Sequence, residues 1–469
     1  MASSSRLSPR MFRRLNLREL TYDRINDDGI LCIMSALLLK CKVELTKDIL
    51  HEALQCLVKQ HPILRATIKT VSDQDGKEKG RYYVEMENGG GINLHTSDFT
   101  DSEMQAALSL ERKISLRNPG GHLWRCTLLR GHWVKSSNGV AEEYHTGIIF
   151  SIRHSAADGF SLVRYADLLI ENINHILNET LSAKTCTVDK TSFPRPVEDL
   201  LGGQTAVEST QDPSAGHEHE RSIDLKSCFR QVDVADSVDT SNSKYLLFDV
   251  PEYVKSNVDR LSKEHGANLN STLMVVFCLS FLKVATDGKP IDYEAFPLPL
   301  AVSLRRYFEK SEANNLGVYE SYLVVETNID KNSFEVEGFW EIAHKVKEDI
   351  HKELNNKTPL PSNCKVGSDL LVKQVTDKLK NRAEYLANST MFAVSNYGYL
   401  DFLERHKHGH VSFNGIYSML AGALEDFEIS ILGFGGKLYI TIEYEAEIVK
   451  SDKAEALKNE IIRMLENIS

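Results

Sequence analysis

The chain has 469 residues, with 55 Lys plus Arg against 66 Asp plus Glu and a formal net charge of −11. That balance argues against a nucleic-acid partner, because phosphate contacts need a basic face. With 42% hydrophobic residues it can bury sizeable cores, and its length exceeds what one core usually serves, so two domains are expected. Eight cysteines are scattered, at positions 32, 41, 56, 126, 186, 228, 278 and 364, with no CxxC or Cys/His spacing that suits zinc. Most lie in apolar runs, as reduced core cysteines do, so no metal and a reducing, cytoplasmic setting are expected.

The first twenty residues hold no apolar leader segment. Arg6, Arg10, Arg13, Arg14 and Arg18 precede the first acid, Glu19, somewhat as in a mitochondrial transit peptide. Met11, Phe12, Leu15, Leu17 and Leu20 are mixed among them and favour a folded segment. Ile30 to Val43 then reads as a strand. Thr46 suits the N-cap of a helix running to Gln60, with Ile49, Leu50, Ala53, Leu54, Leu57 and Val58 on one face. His61-Pro62 stops it, and Ile63 to Lys69 reads as strand. Arg81 to Met86 alternates like a strand, Ser102 to Leu116 like an amphipathic helix, and Leu123–Leu129 and Tyr144–Ile152 like strands.

The second of these strands continues into Arg153-His154-Ser155-Ala156-Ala157-Asp158-Gly159-Phe160. Leu162, Tyr165, Ala166, Leu168, Leu169 and Ile173 follow at helical spacing, to about Leu177. A strand therefore ends at His154, turns, and hands over to a helix. His154 is a base that can be neutral at physiological pH, with a reference pKa near ~6.5. Asp158 lies four positions on, beside a glycine that leaves room for a ligand. The plainer alternative is a satisfied core histidine and a helix-capping aspartate.

Thr180 to Ser243 is rich in Ser, Thr, Asp, Gly and Pro and reads as a crossover linker, with Ser222 to Val232 packed as irregular structure. His217-Glu218-His219-Glu220 in it, and His406, His408 and His410 later, are histidine clusters that read as solvated loops rather than metal sites. The second half repeats the α/β alphabet. Leu246–Val250 reads as strand, Pro251 opens a helix to Glu264, and Asn270–Ala285 is a buried helix. Its apolar part, Leu273 to Ala285, is the longest membrane candidate, too short to span and containing Lys283. Phe296 to Arg306 is a strand ending in two arginines. Strands at Tyr319–Thr327, Thr390–Val394, Phe427–Leu432 and Lys437–Ala446 follow, with helices at Ser333–Leu354 and Ser368–Lys380 and from Asp452 onward.

His154-Ser-Ala-Ala-Asp158-Gly159 resembles the HxxxDG signature of the chloramphenicol acetyltransferase-like superfamily. That group includes plant BAHD acyltransferases, fungal alcohol acetyltransferases, mycobacterial polyketide-lipid acyltransferases and peptide-synthetase condensation domains. His61-Pro62-Ile63-Leu64-Arg65 resembles a frequent segment of its opening. Val302-Ser303-Leu304-Arg305 is similar to the segment whose arginine pairs with the motif aspartate. Phe392-Ala393-Val394-Ser395-Asn396-Tyr397-Gly398 is similar to the "vSNxG" segment beside the channel, and Asn315-Leu316-Gly317-Val318-Tyr319 loosely matches a glycine-containing strand start. Two departures stand out. Arg153 precedes the histidine where many members carry a second histidine, and the plant DFGWG segment is absent near Asp426-Phe427-Glu428 and Gly433-Phe434-Gly435-Gly436.

The resemblance implies an α/β fold of two similar sandwich domains, mixed sheets with flanking helices, and an active-site channel between them. Residues 1–180 would form one domain, 181–243 the crossover and 244–469 the other. It further implies transfer of an acyl group, acetyl above all, from coenzyme A to the hydroxyl of a small apolar alcohol or natural product. His154 would be the general base and Asp158, held by Arg305 and followed by Gly159, its scaffold. Ser303, Ser395, Asn396 and Gly398 would line the channel, with Ser303 or Asn396 as oxyanion donor. A monomer with acyl-CoA and the acceptor as its partners is expected. The alternatives are a free-standing condensation-like N-acyltransferase fed by a carrier-protein thioester, and a binding protein with a vestigial motif.

Overall fold

The computed structural model describes residues 11–27, 32–113, 116, 121–135, 142–189, 193–202, 225–230, 243–289, 294–360, 391–421 and 425–468. The first half runs β1 (Met11–Arg14), α1 (Leu17–Asp27), β2 (Cys32–Cys41), α2 (Lys47–Gln60), β3 (Ala66–Ser72) and β4 (Glu78–Glu85). It continues with β5 (Leu94–Ser97), α3 (Met104–Lys113), β6 (Trp124–Leu129), β7 (His132–Lys135), β8 (Glu142–Arg153) and α4 (Gly159–Leu177). The crossover contributes α5 (Val197–Leu200) and α6 (Leu225–Phe229). Then come β9 (Ser243–Val250), α7 (Glu252–Glu264), α8 (Leu269–Ala285), β10 (Glu294–Ser303), β11 (Glu320–Ile329) and α9 (Val336–Asn355). The chain closes with β12 (Phe392–Tyr399), β13 (Val411–Ala421), β14 (Phe427–Phe434), β15 (Lys437–Glu445) and α10 (Ser451–Ile468).

Local sequence explains the main elements. Thr46 caps α2 by accepting from the Ile49 amide, and Leu50, Ala53, Leu54 and Leu57 are buried where α2 packs on α4. β8 is buried continuously from Thr146 to Arg153, as a central strand covered on both faces must be. Helix α8 is apolar all round and is buried from Ser271 to Leu282, with Asn268 and Ser271 forming a capping box. No single described helix is long and apolar enough to cross a membrane; α7 and α8 pass that test only jointly, across a bend of 104°.

Two six-stranded sheets carry the molecule. The first has the order β13-β2-β8-β6-β5, with β7 beside β8, and the second β11-β10-β12-β14-β15-β9. A separate sheet orders β1-β4-β3. β13 comes from the C-terminal part of the chain yet pairs antiparallel with β2 from Val411↔Cys41 to Ala421↔Cys32. A cut at 243/244 therefore does not separate the sheets. In the second sheet, β10 and β12 share one pair, Leu300↔Val394. Beyond it their carboxyl ends go unpaired with each other, leaving a gap where ligands of parallel sheets bind.

Several expected boundaries change. Pro62–Arg65 is a 3₁₀ turn, so the following strand starts at Ala66 rather than Ile63. β10 ends at Ser303, and Arg305 sits in a 3₁₀ turn, Leu304–Tyr307, which the Ser303 hydroxyl caps by accepting from the Arg305 amide and the Phe308 amide closes on the Arg305 carbonyl. The crossover is packed where it is described: Val197, Leu200 and Leu201 join Leu304, Phe308 and Tyr319 in a small apolar cluster. The expected helix 368–380 and the cluster His217–Glu220 lie outside the described residues. The second histidine cluster is not a solvated loop throughout: His406 is buried against Asp167 Oδ1 at 2.7 Å, and His410 Nε2 meets Asn178 Oδ1 at 3.1 Å.

Candidate active site

His154 follows the last residue of β8 and is buried. Its Nδ1 lies 3.1 Å from the Ala157 carbonyl oxygen. A carbonyl only accepts, so Nδ1 carries the hydrogen and the neutral ring keeps its lone pair on Nε2. The Tyr22 ring of α1 stacks on the imidazole at 4.2 Å between centroids. Arg81 and Arg153 both ion-pair with Asp23 and so fix the turn of α1 that presents Tyr22. Arg153, at the position where many superfamily members have a second histidine, also donates to the Leu116 carbonyl at 2.7 and 3.0 Å. It thus serves the wall that orients the His154 ring. Arg13 and Arg18 are likewise folded into contacts, Arg13 with Glu19 at 2.6 Å and Arg18 with the Glu320 carbonyl, as the apolar residues among them led us to expect.

Asp158 caps α4 by accepting from the Ser161 amide at 2.8 Å. It also receives Arg305 in a bidentate pair, Nη1 to Oδ2 at 2.6 Å and Nη2 to Oδ1 at 3.1 Å, and the Tyr319 amide at 2.9 Å. Both the capping and the pairing readings of this residue therefore hold. Burial alone would push its carboxyl up most strongly, but the Arg305 guanidinium and the Ser161 donors outweigh it and hold Asp158 below the ordinary carboxylate range. Arg305 lies between the rings of Phe160 and Tyr319 and donates to the Asn315 carbonyl, which leaves its position fully determined. Ser161 Oγ donates to the Gly317 carbonyl at 2.8 Å and accepts from the Gly317 amide and Arg305 Nη2. The Asp158 carboxylate thus accepts from protein donors on both of its oxygens.

A cavity of about 130 Å³ opens beside His154 between the two large sheets. The first sheet gives it Ile33 of β2 and Leu420 of β13; the second gives Ala301, Val302 and Ser303 of β10 and Ser395, Asn396 and Tyr397 of β12. It also reaches Asp158, Gly159, Arg305 and Glu320. The space holds reacting groups rather than a whole drug-sized molecule, whose pockets usually measure roughly 300–1,000 Å³. Of the residues singled out in the sequence, His154, Asp158, Gly159, Arg305, Ser303, Ser395 and Asn396 meet there. Gly398 does not: it is exposed, at φ 73°, in the bulge where the β12–β14 register shifts.

Gly159 is required by close approach. A Cβ there would lie 2.1 Å from Cε1 of Tyr397. Tyr397 Oη in turn accepts from Ser418 Oγ of β13 at 3.2 Å. Tyr22, Tyr397 and Glu320 escaped the sequence reading. Tyr397 had a signal, since it lies inside the Ser395–Gly398 segment; Tyr22 and Glu320 had none, being brought to His154 only by the tertiary fold. Among the described residues no group of three or more His, Cys, Asp or Glu is placed to hold a metal ion.

A family model described as alcohol acetyltransferase matches residues 95–467, which is most of the chain and includes His154, Asp158 and Arg305. The chain belongs to the alcohol acetyltransferase family. As a member it is an acyltransferase, and the family supports acetyl transfer to oxygen. The fold is shared with TRI3 trichothecene 15-O-acetyltransferase from Fusarium sporotrichioides, at 13% identity and TM-score 0.69 over 100% of this chain and 97% of that one. It is also similar to polyketide synthase associated protein 5 from Mycobacterium tuberculosis, at 14% identity and TM-score 0.61 over 98% and 100% of the two chains. The first condensation domain of the CDA synthetase matches at 16% identity and TM-score 0.62 over 97% and 96%. At these identities the likeness concerns the fold, the two-domain chloramphenicol acetyltransferase-like architecture. No curated protein matches the chain in sequence.

Proposed function

We propose that this alcohol acetyltransferase family member transfers an acetyl group from acetyl-CoA to the hydroxyl of a small-molecule alcohol, with His154 as general base. The observation that carries the reading is the Nδ1 bond to the Ala157 carbonyl, which keeps the His154 lone pair on Nε2 in a cavity between the sheets. Nε2 takes the acceptor proton as the hydroxyl oxygen attacks the thioester carbonyl. The tetrahedral oxyanion needs a donor at that moment. Ser303 supplies one: its Oγ accepts from the Arg305 amide at 3.4 Å, and its own hydrogen is free to donate. Asn396 is the second candidate, because Nδ2 spends one hydrogen on Asn270 Oδ1 at 2.8 Å and keeps another. The C–S bond then breaks, and the imidazolium returns its proton to the departing thiolate, giving the ester and free CoA.

Arg305 holds Asp158 ionised, and Asp158 fixes the turn that sets the His154 backbone. Neither acts on substrate. Incubation with acetyl-labelled acetyl-CoA and a panel of alcohols, with His154→Ala as blank, tests the reading. Labelled ester from the wild-type protein alone is the expected result. Transfer only from a carrier-protein thioester, or only to amines, would overturn the donor or the acceptor.

A further inference from the structure

We infer that Glu320 is a specificity-determining residue, which recognises a second hydrogen-bond donor on the acceptor next to the hydroxyl being acetylated. This rests on the alcohol-acetylation reading above. Glu320 opens β11, is 9% exposed and lines the cavity that contains His154. Its two carboxylate oxygens fare differently. Oε1 accepts from Tyr22 Oη at 2.7 Å, whereas Oε2 is buried with no partner. Burial first, and then the Glu320 charge, push the Tyr22 hydroxyl well above its ordinary pKa, so it stays protonated and acts as a donor. Arg18, which contacts this residue, donates to the Glu320 carbonyl and to Ser321 Oγ rather than to the carboxylate.

A carboxylate oxygen removed from water without a donor is unfavourable unless something donates to it. In an enzyme cavity the acceptor is the molecule that arrives with one. Register narrows where that donor must sit. Glu320 is directly opposite Ser303 in the β10–β11 ladder, so both side chains leave the same face of the sheet with Cβ atoms roughly 5 Å apart. If Ser303 meets the oxyanion, a donor for Glu320 lies one or two carbons from the reacting oxygen. The chemistry is that of a vicinal diol or a vicinal amino alcohol, and a hydroxyl or an ammonium both satisfy it. The remaining wall is mainly apolar, with Ile33, Phe160, Val302 and Leu420, which suits a hydrocarbon remainder.

The test compares 1-hexanol, 1,2-hexanediol and 2-amino-1-hexanol as acceptors with acetyl-CoA, in wild-type and Glu320→Gln proteins. Glutamine keeps the volume and an oxygen for Tyr22 but replaces Oε2 by a donor. Wild-type kcat/KM should favour the diol or the amino alcohol over 1-hexanol by about tenfold or more, since unsatisfied buried polar groups discriminate strongly. Which of the two is preferred tells a hydroxyl from an ammonium. In Glu320→Gln the ratio should fall to within about threefold of unity, most sharply for the ammonium, which cannot accept a bond from the new amide. Equal wild-type rates on all three, or a Glu320→Gln loss shared equally by all three, overturns the inference and leaves alcohol acetylation standing. Acetyl transfer to none of them removes the parent reading and this inference together.

Discussion

The Asp158 carboxylate, 2% exposed, is held by Arg305, 7% exposed, by two backbone amides and by its own helix. Removing either partner strands a buried charge, at roughly 3–5 kcal/mol. Arg305→Ala and Asp158→Asn should therefore each lower the melting temperature and the turnover, measured by thermal denaturation and initial rates. A stable, fully active Arg305→Ala protein would contradict the scaffold role. The sign with pH follows from the depressed carboxyl: its stabilisation is present above the unfolded value near ~3.9 and is lost as pH falls through the lower folded value. The extra acid lability below about pH 4 should shrink in Asp158→Asn. At this scale the sequence was legible where chemistry is local. His154, Asp158 and Gly159 share one turn, and Ser303 and Arg305 share another. Tyr22 and Glu320 were not legible, because each reaches the site through an ion-pair or hydrogen-bond network assembled from distant segments, and no local pattern encodes that.

Helix α4 begins where the motif ends, and Gly159 at its first position lets the Tyr397 ring of β12 lie against its backbone. Gly159→Ala should push Tyr397 aside, at about 1–3 kcal/mol of overpacking, with lower melting temperature and turnover. Adding Tyr397→Ala should restore part of the lost stability, since the two side chains compete for one space; strictly additive losses would show that the contact is not the cause. Most elements were visible from periodicity, down to the Thr46 cap of α2. β13 was not. No element was assigned to 411–421, and its Asn414-Gly415, a dipeptide that favours turns, instead marks a bulge between Phe413 and Gly415 in a strand that continues along β2. The histidines before β13 also read as loop, although His406 is buried against Asp167 to tie that turn to α4. Arg305 was placed at a strand end, but the strand stops at Ser303, whose hydroxyl accepts from the Arg305 amide and caps a 3₁₀ turn there.

At the scale of the molecule, β13 is the tie between halves. It completes the first sheet along β2 while packing against β14 and β15 of the second. Residues 1–243 made alone would leave the β2 edge open and its apolar neighbours uncovered. Such a fragment should aggregate or lack a cooperative thermal transition by circular dichroism; a cooperative, monomeric fragment would contradict this dependence. The same arrangement puts the cavity between sheets, with His154 supplied by one and Ser303 and Asn396 by the other. Both proton transfers of the proposed reaction pass through His154 Nε2. The most direct test is therefore the acetyl-CoA-dependent turnover of His154→Ala beside the wild-type protein, with melting temperature and CoA affinity as controls. A fall of about 10²–10⁴-fold in kcat with both controls retained is the predicted result. Turnover within about threefold of wild type, in a folded protein that binds CoA, would contradict the account.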